Sequence, residues 1–277
     1  MNEQAITEYW RSVKDIIDHI CKYYDNLWQK RNRVLNSKII VSMILRMTAH
    51  HQHQGFSTSL TEFWDSCKDK GIKLPQTKSV AASSFCESRQ KLPEDIFKDI
   101  NRALLENWNK KRSLPLWRGH RVYATDGSRV NIPRELTTFG YKIYDEERRH
   151  YPQGLLSCLY DVFSKAVYDF DFMAHMNERK CAINHVEILE SNDVVIFDRG
   201  YFSYLLLHEF QKKGVHPIFR LQEGTVNKQI EAFIKGSQTD EIIDYVPSGA
   251  VISDLKKQGY FLKPTPRQFS ISFLLLP

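Results

Sequence analysis

Apolar positions follow two different rhythms along the chain. From Glu8 to Tyr24 they fall at Trp10, Val13, Ile16, Ile17, Ile20 and Tyr24, steps of three and four that predict a helix with one apolar face. The same spacing predicts helices over Lys38–Met47, over Phe56–Cys67 through Leu60, Phe63, Trp64 and Cys67, over Ser79–Arg89, and over Pro93–Trp108. Pro93 suits a first helical turn, and Glu94 and Asp95 suit its positive end. Beyond Trp117 the rhythm shortens. Strand-like runs occupy Trp117–Ile132, Leu155–Phe163, Ala166–Ala174, Val194–Phe197 and Val215–Leu221, with helix-like stretches at Glu178–Leu189 and Phe202–Phe210. Past Thr225 the signal weakens, and Ile230, Ala232, Phe233, Ile234, Ile242 and Ile243 predict small strands or a short helix. Lys110–Pro115, basic, polar and closed by proline, is the expected linker. The expected division is a helical part over 1–112, a catalytic core over 113–224, and the incomplete start of a β-rich insertion over 225–277.

Two strands end alike. Arg121–Ser128 and Asp193–Ser203 each run from a short apolar strand into an aspartate, a glycine and a small polar residue. Asp126 and Asp198 stand 72 residues apart, with two strands and a helix between their own strands. Strand, strand, strand, helix, strand is the order of a ribonuclease H-like fold, whose first and fourth strands bring two carboxylates side by side. The fold class is therefore α/β: a mixed sheet with flanking helices, preceded by an all-α region. Two clustered oxygen ligands suit Mg²⁺ or Mn²⁺. The competing reading is that Asp198 caps the helix behind it. Gly200 is expected to permit a sharp turn there.

These residues also carry a resemblance. "ATDGS" at Ala124–Ser128 and "DRGYFS" at Asp198–Ser203 resemble the first and second aspartate motifs of bacterial insertion-sequence DDE transposases. The group in question has a Y-x2-R-x3-E-x6-K signature around its third carboxylate. "SFCESRQKL" at Ser84–Leu92 is similar to a short motif of that group's N-terminal region, and "FRLQEG" at Phe219–Gly224 to its strand after the second aspartate. The resemblance implies metal-dependent strand cleavage at transposon ends followed by strand transfer into target DNA. It makes Asp126 and Asp198 the catalytic, metal-holding residues, and it implies dimers on paired ends and DNA binding by the helical region. The pair Ser79–Arg89 and Pro93–Trp108 fits either a helix-turn-helix or simple core packing.

Charge is distributed unevenly. Residues 1–125 carry 21 Lys and Arg against 13 Asp and Glu, and the remaining residues 18 against 20, within a net charge of +6. A basic first half favours phosphate backbones, although many helical domains show a similar excess. Arg129, Arg134, Arg148, Arg149 and His150 follow the first strand, interleaved with Tyr141, Tyr144 and Tyr151. That mixture suits a DNA strand entering the site, or a solvated loop. Arg199 and Arg220, at strand ends, are further candidates to meet phosphate. Five scattered cysteines without a C-x-x-C pair argue against a zinc ribbon or a disulfide framework and fit a reducing cytoplasm. His50, His51 and His53 lack companion ligands and read as a polar helix end. No secretory signal opens the chain, and the apolar run at Ile39–Leu45 is too short to span a bilayer, so no membrane partner is expected and a nucleoid-associated cytoplasmic location is.

Other carboxylates fare less well. Asp161, inside a strand-like run, reads as structural, and Glu178 as favourable charge at a helix start. The resemblance requires a Glu four residues after an Arg, but Ser203, Gly224 and Ile271 stand four after Arg199, Arg220 and Arg267. Glu209, Glu223 and Glu231 do not match the motif. With an apolar ending at Phe273–Pro277, the chain reads as cut before its catalytic helix. A non-catalytic DNA-binding remnant acting as a regulator, or an RNase H-like nuclease without strand transfer, stays open beside the transposase.

Overall fold

A computed structural model describes residues 3–28, 33–49, 55–110, 113–144, 150–221, 228–236, 240–263 and 265–272. The chain divides into two compact units, Met1–Ser113 and Leu114–Pro277. His50, His51, His53, Arg148, Arg149 and Glu223 lie outside the described residues.

The first unit is helical: α1 (Glu3–Trp28), α2 (Ser37–Ala49), α3 (Phe56–Asp69), α4 (Ala82–Lys91) and α5 (Asp95–Lys110). Cys21 and Tyr24 of α1 pack with Val41 of α2 and with Ile96 and Ile100 of α5. A second cluster joins Ile40 and Met43 of α2 to Leu60 and Trp64 of α3 and to Phe85 of α4. Polar ties fix the angles between helices. Tyr24 donates to Asp99 at 2.7 Å, and the Ser37 amide to Asp25 at 2.7 Å. Leu92, the residue before Pro93, is extended, so α4 ends one residue earlier and α5 begins at Asp95. In the pair α4–α5, Phe85, Ile96 and Ile100 are buried core contacts.

The second unit is built on a five-stranded sheet of β1 (Val122–Asn131), β2 (Gln153–Asp161), β3 (Ala166–Met173), β4 (Val194–Phe197) and β5 (His216–Phe219). Their order is β3-β2-β1-β4-β5. β1, β2 and β3 are antiparallel in turn, while β4 runs parallel to β1 and β5 parallel to β4. This is the mixed, RNase H-like sheet, with α6 (Glu178–Asn184) crossing from β3 to β4 and α7 (Tyr204–Lys213) from β4 to β5. Tyr123, Leu159, Val195 and Phe197 turn one face toward Ala182 of α6 and toward Leu206 and Phe210 of α7. The Val194–Phe197 run, apolar throughout, is not buried on both faces: Ile196 is 40% exposed on the other side.

α7 shows why these residues stop and start where they do. Ser203 accepts from the Leu206 amide at its N-cap. Gly214, at φ +79°, closes it in the left-handed region, where a side chain at that position would meet Ser191 Oγ at 2.5 Å. α8 (Lys228–Lys235), β6 (Asp240–Tyr245), α9 (Gly249–Lys257) and β7 (Arg267–Ser272) complete the unit, with β6 and β7 as an antiparallel pair. Ile252 and Leu255 of α9 pack on Tyr204 and Leu205 of α7.

The helix expected over Glu178–Leu189 is two pieces. α6 ends at Asn184, and His185–Ile188 continues as a tighter 3-10 turn. The break falls at His185, which is drawn into a buried polar network. Its Nδ1 lies 2.9 Å from Asp169 Oδ2 and its Nε2 3.2 Å from Ser157 Oγ. Ser157 and His185 are both fully buried. A buried polar group stripped of its partner costs roughly 1–3 kcal/mol. His185→Ala strands two such groups, so it should destabilise the fold by about 3 kcal/mol in urea titration.

His208 links α7 to β7 through Arg267 and also lies 3.9 Å from Glu209. Burial first, then the Arg267 guanidinium, hold its pKa below the ordinary histidine value, with Glu209 opposing. A lowered folded pKa means that protonation favours the unfolded chain. The contribution is present above about pH 6.5 and is lost as pH falls below it. The drop in Tm between pH 7.5 and 5.5 should therefore be smaller in His208→Gln than in the parent, as read by thermal melts.

Candidate cation and nucleic-acid site

The two aspartates meet because of strand register. β1 and β4 pair from Val122–Val194 to Thr125–Phe197, so the next position on each strand sets Asp126 beside Asp198. Neighbouring strands lie about 4.8 Å apart, which sets the two backbone positions side by side. β4 and β5 pair up to Phe197–Phe219, which places Arg220 next in line. Arg220 Nη1 stands 3.7 Å from Asp198 Oδ1, and its amide donates to the Phe197 carbonyl at 2.9 Å. Asp198 and Arg220, just past the ends of β4 and β5, thus stand in a row with Asp126 in the middle of β1, which runs on to Asn131 rather than ending at the aspartate as the sequence pattern suggested.

The local backbone frees these side chains. Asp198 makes no side-chain cap of the 3-10 turn Arg199–Tyr201, and the cap of α7 is supplied by Ser203 instead. Gly200 lies in the tight 3-10 turn Arg199–Tyr201, as expected of it, without needing positive φ, and its carbonyl accepts from Arg179 Nε at 3.0 Å. Asp126 Oδ1 accepts from the Gly127 amide at 2.8 Å. Asp198 is 57% exposed.

Glu178 also reaches this place. Asn177 is the N-cap of α6 and accepts from the Lys180 amide, so Glu178 is not needed as the cap. Its Cγ lies 2.9 Å from where a side-chain Cβ on Gly127 would stand, and its carboxyl carbon 3.2 Å. Only a glycine beside Asp126 admits so close an approach. Tyr201 completes the group. Its ring is 2% exposed in the core, and its hydroxyl is buried without a hydrogen-bond partner among the described residues. Burial raises its pKa well above the ordinary tyrosine value, and the charges of Glu178, Asp126, Cys181 and Asp198 raise it further.

Carboxylate oxygens are hard donors suited to Mg²⁺ or Mn²⁺. As the side chains stand, no group of three His, Cys, Asp or Glu among the described residues is gathered closely enough to hold a metal ion. Asp161 lies elsewhere: it takes Arg121 Nη2 at 3.3 Å and the Ser164 amide at 2.8 Å, a buried structural pairing.

Beside the strand tips runs a groove of about 980 Å³ between α6, the Arg199–Tyr201 turn, α7 and α9. Arg179, Lys180 and Arg199 line it, with Asp254 across from Phe202, Tyr245 and Tyr260. Of the arginines expected to meet DNA, Arg199 faces this groove and Arg220 the aspartates. Arg129 is exposed on β1 three residues beyond Asp126. The sequence reading missed Arg179 and Lys180; a basic pair one helical step from Glu178 was the available signal.

A profile described as the transposase DDE domain matches residues 117–265. The transposase InsG for insertion sequence element IS4 of Escherichia coli (strain K12) is 24% identical over 172 residues, which is 60% of this chain and 39% of that protein. The chain therefore spans well under half the length of that relative. Among solved structures, a piggyBac transposase synaptic complex with hairpin DNA covers 84% of this chain and 56% of its own, at 13% identity and a TM-score of 0.38.

The Arg220–Asp198 pair is exposed on both sides, at 69% and 57%, so solvent screens it. Arg220→Ala should leave the unfolding free energy read from urea titration within about 0.5 kcal/mol of the parent.

Proposed function

We propose, for a chain that belongs to the DDE transposase family, that the Asp126–Asp198 pair is the divalent-cation site of a DNA transposase acting at insertion-sequence ends. The observation that carries this reading is the register of β1 on β4, which sets Asp126 beside Asp198 where β4 ends. Asp126 and Asp198 would hold Mg²⁺ or Mn²⁺. Such an ion, when bound, activates an attacking oxygen and stabilises a leaving one in phosphodiester chemistry.

The chain's own residues supply position and charge. Arg199, Arg179 and Lys180 along the groove offer guanidinium and ammonium donors to successive phosphates of one strand. Phe202, Tyr245 and Tyr260 offer ring faces to unpaired bases. Arg220, beside Asp198, is placed to take a phosphate oxygen next to the scissile bond. Arg129 extends the basic track along β1, and Arg148 and Arg149 follow it in sequence. Water attacks the phosphodiester in line and the 3′ oxygen leaves as a hydroxyl. That 3′-hydroxyl then attacks a target phosphodiester, so one P–O bond forms as another breaks. The helical unit Met1–Ser113 carries the basic excess and is assigned to duplex contact, with two copies acting on paired ends.

The test is a nicking assay on a duplex carrying the DNA that flanks this chain's coding sequence, with and without Mg²⁺. Asp126→Ala and Asp198→Ala should each abolish Mg²⁺-dependent nicking while leaving DNA binding in place. Retained nicking in either variant sinks the assignment. Binding with no cleavage by the parent chain would mark a regulatory DNA binder, and cleavage without joined products a nuclease.

A further inference from the structure

The 3-10 turn Arg199–Tyr201 belongs both to the aspartate row and to the groove. Asp198 is its N-cap and pairs with Arg220 at 3.7 Å, while Arg199 and Gly200 line the groove. Its inner side is packed. The Tyr201 ring is buried with Phe197, Val195 and Leu206, and its amide donates to the Asp198 carbonyl at 3.0 Å. Its outer side is open. Arg199 and Gly200 are exposed, and beyond its chain neighbours no atom lies within 4 Å of where a Cβ on Gly200 would stand. There Arg179 of α6 donates from Nε to the Gly200 carbonyl at 3.0 Å. That nitrogen is the only one of the guanidinium with a hydrogen bond among the described residues. Arg179, Lys180 and Arg199, the three cations of the groove, form no salt bridge with an acid among the described residues. Asp254, across the groove, accepts from Gln258 Nε2 at 2.7 Å.

We propose that Arg179 is a positioning residue that couples strand binding in the groove to the turn behind Asp198. Its Nε holds the Gly200 carbonyl while its two terminal nitrogens take a phosphate of the strand. This rests on the nucleic-acid role proposed for the groove. A guanidinium can do both at once, because its donors are fixed in one planar fork. Two parallel bonds to a phosphate set the plane of that fork. The plane sets the direction of the Nε–H, which keeps the Gly200 carbonyl, and with it the turn, in place. Without a strand the same long side chain samples many rotamers and holds the turn for part of the time. Asp198 makes no side-chain bond to the turn, so the backbone there governs how its carboxylate is presented. An ammonium on a flexible stem bonds a carbonyl or a phosphate without linking their directions. A purely local tie between α6 and the turn would hold equally with and without a strand.

The full chain and a single-stranded oligothymidylate test this without metal or turnover. Fluorescence anisotropy over a salt series follows binding, and hydrogen–deuterium exchange of residues 199–202 follows the turn. In the parent, the oligonucleotide should slow exchange across that segment. Arg179→Ala should lower the slope of log affinity against log salt by about 0.7, the value for one phosphate contact on a single strand, and should lose the slowing. Arg179→Lys should keep the slope and also lose the slowing. Arg179 is exposed in the first turn of α6, so both variants should melt like the parent. Parent-like slowing in Arg179→Lys overturns the coupling. Faster exchange in Arg179→Ala with the oligonucleotide-dependent slowing intact marks a structural tie only and overturns it as well. An unchanged slope in Arg179→Ala also overturns it. The groove reading then stands if Arg199→Ala lowers the slope and falls if it does not. No binding by the parent overturns both.

Discussion

The pairing of β1 with β4 is the constraint on which the rest of the second unit depends. In a strand the side chains alternate faces, so a slip of one residue would exchange the inward and outward sets. Tyr123 and Val195, Thr125 and Phe197 would then face outward, and Asp126 would be driven into the layer of Ala182, Leu206 and Phe210. Burying an unpaired carboxylate there costs far more than any strand pairing returns. The hydrophobic face therefore fixes the register, and the register fixes the aspartate pair. The aromatic packing beneath Asp198 reinforces it. Phe197 stacks on Phe219 at 5.0 Å and meets Phe210 edge-on at 5.1 Å, tying β4 to both β5 and α7.

The same register explains the third member of the row. Arg220 needs no dedicated loop to reach Asp198, because it is the next residue along β5 once Phe219 stacks on Phe197. Two aspartates at adjacent tips repel, and their exposure keeps that repulsion small in a high-dielectric surrounding. A site deeper in the sheet would not tolerate the pair without a bound cation. The pair lies exposed next to a groove lined by Arg179, Lys180 and Arg199.

Much of this was legible in the sequence, since short β-branched runs ending in aspartate declare both a strand and its tip. Val194–Phe197 and Asp198 came from that pattern, as did the order of the strands. What was not legible depended on contacts between distant residues. Glu178 reads as ordinary helix-end charge, because the helix dipole is a sufficient local reason for it. Only the position of Gly127 across the fold shows that this carboxylate lies against the strand. Tyr201 reads as one more aromatic in an apolar stretch, and its lack of a partner is a fact of packing. α9 and β7 were missed for a plainer reason. Val251, Ile252 and Leu255 do fall at helical spacing and Phe269 and Ile271 do alternate, but each run is short, and α9 is held by packing on Tyr204 and Leu205 of α7.

Two buried polar clusters in the same unit separate architecture from site. Ser157, His185 and Asp169 line up with the spacing of a nucleophile, base and orienting acid, at 3.2 and 2.9 Å. Yet Ser157 and His185 are wholly buried, so no substrate reaches the serine, and each ring nitrogen already has its partner. A closed network of this kind rigidifies the junction of β2, β3 and α6 and asks for nothing further. Tyr201 is equally buried and has no partner among the described residues. The two differ in satisfaction rather than in burial. A satisfied polar group inside a protein explains itself by the fold, whereas the Tyr201 hydroxyl has no such partner among the described residues.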